Sequence, residues 1–275
     1  METPLVRIAL KVREAVQASD RSKWGETVEM GADGTPTKWV DDLAEKVLLQ
    51  ELDREGVDAN VLSEEAGFVD REGRQLLVAD PIDGTHNAVR GIPFYCISLA
   101  LARDRLHDVS EGVVVNALSG DVYHARKGKG ATLNGRPVKA REWRERFDTV
   151  SVYIGPEAPE AAFELTRFPR RVRGLGAAAL EIALVGAGAL DAYVQWGNPL
   201  RCTDVAAAAL ILREAGGEIY DYAGAVLDMP LNSSARRDVT ATGSPALASI
   251  IHEHVRASRA AEADRMGHRV RRASA

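Results

Sequence analysis

Thiols are nearly missing from this 275-residue chain: Cys96 and Cys202 stand far apart, with no Cys-x-x-Cys. That excludes a disulfide framework and a thiolate zinc cage, and it suits a reducing, cytoplasmic setting. Long apolar runs are missing too. The longest, Val205 to Leu212, is too short to cross a bilayer, and charges occupy the first residues where a signal peptide needs an apolar stretch. There is no excess of basic charge. A net charge of -5 and a pI of about 5.8 offer no global field for nucleic acid or an anionic membrane, yet leave room for a local cationic pocket. No lysine follows Lys139, an arginine bias from which no function follows. The six histidines show no ligand or triad spacing, and His252-x-His254 reads as the surface of a terminal helix. No internal repeat and no low-complexity tract is present.

What remains is a composition of 45% hydrophobic and 27% charged residues, that of a soluble globular chain long enough to bury its core without staples. Thr3-Pro4 before Leu5, Ile8, Ala9, Val12 and Val16 is an N-cap, a helix-initiating proline and an apolar stripe at helical period. A second helix is predicted to start near Asp41-Asp42, with Glu45 in capping-box position, and to stop at Gly56. The polar stretch from Gly25 to Thr37 between them reads as a mobile loop. Short β signals follow: Val57–Leu62, Gln75–Ala79, Tyr95–Ala102, Gly112–Ala117 and Val122–Ala125, with Asn134-Gly135 as a tight hairpin turn. Helices followed by consecutive strands predict an α+β fold with a largely antiparallel sheet. From about Thr149 strands and helices alternate, with helices over Glu157–Arg167, Gly176–Ala187 and Asp204–Ala215 and a terminal helix from Ser244. The charged segment Trp143–Arg146 is the expected boundary between halves 1–145 and 146–275, and the polar tail after Ala260 is expected to fray.

One segment stands out. In Leu77-Val-Ala-Asp80-Pro-Ile-Asp83-Gly-Thr85 an apolar strand runs into two carboxylates, and proline and glycine are expected to force a tight turn that converges Asp80 and Asp83 and aims the Ile82 carbonyl at the same point. An oxygen-only cluster suits a hard divalent cation, and magnesium fits it while keeping water and phosphate oxygens as further ligands. The N–H groups of Gly84 and Thr85 would begin a helical turn able to hold phosphate. Asp, Pro and Gly are also ordinary turn residues, so the argument rests on the whole run leaving a buried strand. Glu64-Glu65 follows another strand, and if the two strands are neighbours Glu64 and Asp80 share one sheet edge.

Asp80-Pro-Ile-Asp-Gly-Thr85, preceded by Ser63-Glu-Glu65 and followed by Cys202-Thr-Asp204-Val-Ala-Ala, resembles the magnesium-dependent, lithium-sensitive phosphatase superfamily of inositol monophosphatase and fructose-1,6-bisphosphatase. The similarity runs from Gly31-Ala-Asp-Gly-Thr-Pro-Thr37 to about Asp221. With Leu200-Arg-Cys-Thr-Asp204 where animal inositol phosphatases carry a tryptophan before the aspartate, it is most similar to the archaeal branch, whose members often accept both substrates. The resemblance implies a layered αβαβα sandwich of the sugar phosphatase type. It implies that Glu64, Asp80, the Ile82 carbonyl and Asp83 bind a first Mg2+, and that Asp80, Asp83 and Asp204 bind a second. Two or three ions are expected, with Mn2+ as a substitute. Catalytic roles fall to Glu64 and to Asp41 with Thr85, which position a nucleophilic water. Asp83, Gly84, Thr85 and Ala178 would meet the substrate, Gln195 stands where the animal enzyme has an inositol-contacting glutamate, and Arg173 and Arg201 would contact a second phosphate. The expected partner is a small-molecule phosphate ester, with no nucleic acid and no membrane, acted on by a cytoplasmic homodimer.

Each of these residues has a plainer use. Asp41 and Asp204 are ordinary helix-capping residues, Glu65 rather than Glu64 is an alternative ligand, and Arg173 and Arg201 are equally well surface arginines. Within the superfamily, nucleotide 3'-phosphatase and NADP phosphatase activities compete with the inositol and fructose substrates. Two other classes compete as well. Gly174-Leu-Gly176-Ala-Ala-Ala179 fits a relaxed dinucleotide-binding fingerprint. A non-catalytic regulatory or RNA-associated partner is the other, although the retained carboxylates and acidic pI favour catalysis.

Overall fold

The computed structural model of the chain describes residues 2–31, 34–142 and 147–258. The expected boundary at Trp143–Arg146, part of the Gly31–Thr37 run and the tail after Ala260 lie outside these. Helices α1 (Pro4–Ala18) and α2 (Trp39–Glu55) flank a two-stranded hairpin, β1 (Thr27–Met30) and β2 (Pro36–Lys38). Next come β3 (Ala59–Ser63), β4 (Gly67–Val69), β5 (Gln75–Asp83), a short α3 (Thr85–Arg90), β6 (Cys96–Ala102), β7 (Glu111–Asn116), β8 (Val122–Arg126), β9 (Ala131–Leu133) and β10 (Arg136–Val138). These strands form one sheet, ordered β10-β9-β8-β7-β6-β5-β3-β4, in which only β3 and β5 run parallel. A second sheet, β12-β11-β13-β15-β14, is built from β11 (Thr149–Tyr153), β12 (Arg171–Arg173), β13 (Ala192–Arg201), β14 (Glu218–Tyr220) and β15 (Arg236–Thr242). Around it lie α4 (Glu160–Leu165), α5 (Ala178–Gly186), α6 (Cys202–Glu214) and a last helix, α7, over residues 245–258.

Three apolar clusters separate five layers, the predicted αβαβα sandwich. Along β6, Ile97 and Leu99 face α1 and α2, while Cys96, Ala100 and Ala102 face α5 and α6. Along β13, Tyr193 joins the same middle cluster, while Val194 and Trp196 face α4 and α7. Period-two alternation thus gives each sheet two apolar faces, and the helices cover them. The alanine run of α6 lets it approach the first sheet closely. A Cβ added to Gly112 on β7 would lie 2.7 Å from the Ala207 carbonyl oxygen.

Several local expectations hold. Thr3 accepts the Val6 N–H at the start of α1, Gly56 closes α2 at φ 65, and Asn134-Gly135 turns β9 into β10 with φ 52 and 75. Others need correction. Gly25–Thr37 is not a plain loop but contains the β1–β2 hairpin, whose β1 side chains are all exposed and so carry no burial period. The second helix starts at Trp39. Asp41 is therefore its third residue, its side chain receiving the Lys38 N–H at 3.3 Å, and Glu45 forms no capping box but turns to Ser63. His252 is not surface: it is 4% exposed, packed edge-on against Tyr220, with Nε2 3.2 Å from the Asp221 carbonyl.

Because Gly112 fits α6 against the sheet, Gly112→Ala is expected to cost about 1–3 kcal/mol of folding free energy through overpacking. A urea unfolding curve checks this, and an unchanged midpoint would contradict the close approach.

Candidate active site

The parallel register of β3 and β5 sets Ser63 beside Ala79, so Glu64 and Asp80 leave the same sheet edge as neighbours. The strand does not stop at Pro81. It runs on to Asp83, with a bulge: Asp80 pairs with Ser98 and Asp83 with Cys96, three steps on β5 against two on β6. A proline, lacking an N–H, is tolerated where the ladder shifts. The turn comes one residue later, at Gly84, whose φ of 92 favours glycine and whose added Cβ would meet the Gly176 carbonyl oxygen at 3.1 Å. Ile82 N–H donates to Asp80 Oδ1 at 3.1 Å, fixing that carboxylate within the bulge.

The third carboxylate arrives from the second sheet. β13 runs into α6 at Arg201, and Asp204, the third residue of the helix, accepts the Arg201 N–H at 2.8 Å. Asp204 is thus both a capping residue and a member of the site. Ligand oxygens of Glu64, Asp80 and Asp204 lie within 4.8 Å of one another, with Asp80 and Asp204 2% and 5% exposed. Arg201 reaches into this cluster: Nη1 bonds Glu64 Oε1 and Nε lies 3.2 Å from Asp204 Oδ1. Burial pushes the Glu64 carboxyl up to about 8 although Arg201 opposes the shift, and burial with the charges of Glu64, Asp83 and Asp204 drives Asp80 well above the usual range. Burial disfavours the Arg201 cation, yet Asp204, Glu64 and Asp80 hold its pKa above the ordinary value. Three converging carboxyl groups share one guanidinium in a low-dielectric site, so without a cation Glu64 and Asp80 are held toward their protonated forms. The donor set, oxygen-only and crowded, fits a hard divalent cation.

Around the cluster the other expected residues fall as follows. Thr85 Oγ1 lies 2.9 Å from Asp41 Oδ1 and 3.0 Å from the Ile82 carbonyl oxygen, so residues far apart in sequence meet as expected. Burial raises Asp41 to about 7, against the Thr85 hydrogen bond, which lowers it. Asp83 is 7% exposed and turns to the N-terminus of α5, accepting the Ala178 and Ala179 N–H groups at 3.2 and 2.7 Å, with Cys96 Sγ at 3.5 Å. Burial, then Asp204, raises it to about 7. Asp83, Ala178, Arg201 and Asp204 line a cavity of 370 Å³ that continues past Tyr153, Asn198 and Arg236. Gln195 is buried in its wall, its amide donating to the Asn198 carbonyl at 2.7 Å. Arg173 lies on the exposed β12 edge, away from the cavity lining, with Nη1 on the Val172 carbonyl.

Sequence reasoning overlooked Glu181, Tyr193 and Arg236 in this cavity. Glu181, 2% exposed, accepts the Gly176 N–H at 2.9 Å and the Ser151 hydroxyl, and so braces the loop before α5. A lone acid inside an alanine-rich apolar helix was the available signal. The glycines of Gly174-Leu-Gly176 serve close packing: a Cβ at Gly176 would stand 3.0 Å from Asn87 Nδ2.

A solved structure described as an inositol monophosphatase–fructose 1,6-bisphosphatase superposes with a TM-score of 0.82 at 29% identity, covering 92% of this chain and 100% of the other. The model of the inositol monophosphatase family matches residues 3–262, so the chain belongs to that family and is a phosphatase that hydrolyses phosphate monoesters. Among its relatives, the fructose-1,6-bisphosphatase/inositol-1-monophosphatase of Methanothermobacter thermautotrophicus is 38% identical over 253 residues, 86% of this chain and 90% of the relative. The bifunctional NADP phosphatase/NAD kinase of Methanococcus maripaludis is 32% identical over 264 residues, 86% of this chain but 46% of that longer protein. The family is metal-dependent, in accord with the acidic cluster.

Burial lifts Asp41 from its ordinary 3.8 to about 7, so between these the metal-free folded state holds a proton that the unfolded chain has released. Stability must therefore fall as pH rises across that window. His252, lowered by burial, works in the opposite sense, so the diagnostic is a difference. Thermal midpoints of metal-free protein from pH 5 to 8 should decline less steeply in Asp41→Asn than in the wild type, and parallel slopes would refute the assignment.

Proposed function

We propose that the chain is a Mg2+-dependent phosphomonoesterase acting on inositol monophosphate, fructose 1,6-bisphosphate or both. The observation that carries this reading is the convergence of Glu64, Asp80 and Asp204 beside a cavity, in a chain of this family. Glu64, Asp80, the Ile82 carbonyl and Asp83 would hold one cation, and Asp80, Asp83 and Asp204 another. Bound cations supply Lewis acidity, activating water at neutral pH and stabilising the leaving oxygen. The chain's own groups do the rest. Glu64 and the Thr85 hydroxyl would orient the attacking water, whose proton passes to Thr85 Oγ1 as the Thr85 proton passes to the Asp41 carboxylate. Gly84 and Thr85 offer backbone N–H groups to the phosphate. The loop Gly176–Ala178 and Gln195 border the space for the alcohol part of the ester, and Arg201 supplies positive charge there.

In this reading the site is shared between halves 1–145 and 146–275. Two or three Mg2+ ions, replaceable by Mn2+, serve a cytoplasmic homodimer; among the described residues no helix is long and apolar enough to cross a membrane. The relative named as an NADP phosphatase supports a second reading, a dinucleotide 2'-phosphate as the ester. A phosphate-release panel of inositol monophosphate, fructose bisphosphate, NADP and adenosine bisphosphate, with and without Mg2+, decides between them. Release from either of the first two only with Mg2+ is expected, the highest rate on NADP selects the second reading, and release from none overturns both.

Asp80→Asn should keep the fold and cut turnover by about 100-fold or more, the scale for losing one strong transition-state interaction. Circular dichroism with a phosphate assay checks it. Since the candidate ligands must shed protons to accept a cation, Mg2+ should raise the thermal midpoint more at pH 8 than at pH 6. A shift of equal size at both pH values would speak against these ligands.

A further inference from the structure

The mechanism uses Asp41 but not the second buried acid of α2. Glu45, 6% exposed, sits one helical turn further along, so both side chains leave the same face of the helix. Its Oε2 accepts the Ser63 hydroxyl at 2.7 Å, and Ser63 Oγ in turn accepts the Glu65 N–H at 3.2 Å. The serine proton is therefore committed to Glu45 and a serine lone pair to the peptide that follows Glu64. No basic side chain pairs with Glu45 among the described residues; besides the Ser63 hydroxyl its carboxyl draws only on the Ala66 N–H, in the same turn. Burying a carboxyl in this way is costly. What it holds in return is the turn that aims Glu64 at Asp80 and Asp204.

We propose that Glu45 is a positioning residue for the cation site, acting through Ser63 to fix the Glu64–Glu65 peptide and thereby the direction in which Glu64 leaves β3. The inference rests on Glu64 as a cation ligand. α2 then works as a crossbar: Asp41 is tied to the Thr85 turn at the end of β5, and Glu45 to the turn at the end of β3. Groups that orient metal ligands in this way typically change affinity by about 10–100-fold when removed.

Calorimetric titration of the full chain with Mn2+ tests this without recourse to activity, with thermal midpoints of the metal-free variants alongside. Ser63→Ala and Glu45→Leu should each weaken Mn2+ binding by about tenfold or more. The double variant should lose no more than Glu45→Leu alone, because the Ser63 link depends on Glu45. Glu45→Gln keeps an acceptor oxygen for Ser63 and should bind close to the wild type. Should Glu45→Leu fail to fold, the contrast of Ser63→Ala with Glu45→Gln decides. Wild-type affinity in Ser63→Ala, or losses that add in the double variant, would overturn the inference. A wild-type protein that binds no Mn2+ would instead overturn the reading of the cluster as a cation site.

Discussion

Buried like charges repel, and the architecture of this phosphatase is organised around holding several of them in one place. Glu64, Asp80 and Asp204 crowd within 4.8 Å, and burial and mutual repulsion raise the Asp80 carboxyl well above its ordinary range. Left to itself such a cluster would spread or protonate. It cannot spread, because each member is fixed by backbone: Glu64 and Asp80 by the parallel pairing of β3 and β5, Asp204 by its place in the first turn of α6; without a cation it is held toward its protonated forms. Arg201 offsets part of the repulsion from within, and the oxygen-only donors that remain are those a metal-dependent family can use.

The five layers follow from that need as well as from hydrophobic burial. A sheet covered on both faces puts its strand ends in a dry, rigid setting, and two such sheets with α5 and α6 between them bring two sets of ends together. Carboxylates supplied by the first sheet thereby meet backbone amides of α5 and an arginine at the end of β13. Small residues make the approach feasible. Gly84, Gly176 and Gly112 stand where an added Cβ would press on Ala177, Asn87 and the α6 backbone at Ala207.

Much of this was legible from local chemistry. Apolar alternation gave away the strands that sort their side chains between two helical layers, and Thr3-Pro4 and Asn134-Gly135 marked a helix start and a hairpin because their backbone preferences are strong. The run from Asp80 to Thr85 marked an acidic site even though the strand continues through Pro81: the bulge sets Asp80 beside Glu64 and Asp204, while Asp83 turns instead to the Ala178 and Ala179 amides. What stayed hidden depended on partners distant in sequence. Glu45 looks like a capping residue until Ser63 is placed beside it, and Arg201 looks like surface until Glu64 approaches from another element. β1, exposed along its whole length, pairs with β2 without an apolar period of its own, so nothing in its side-chain polarity marks it as a strand.

The bond between Asp83 and the first amides of α5 has a consequence for how the protein comes into being. Its two ends are 96 positions apart, so a chain emerging from the ribosome carries Asp83 for a long interval before Ala179 exists to donate its N–H. During that interval the first sheet must either keep this carboxylate wet or hold it as a neutral acid. Completion of the site and completion of the sandwich therefore coincide: the catalyst does not switch on gradually as synthesis proceeds, but only when the last two layers close.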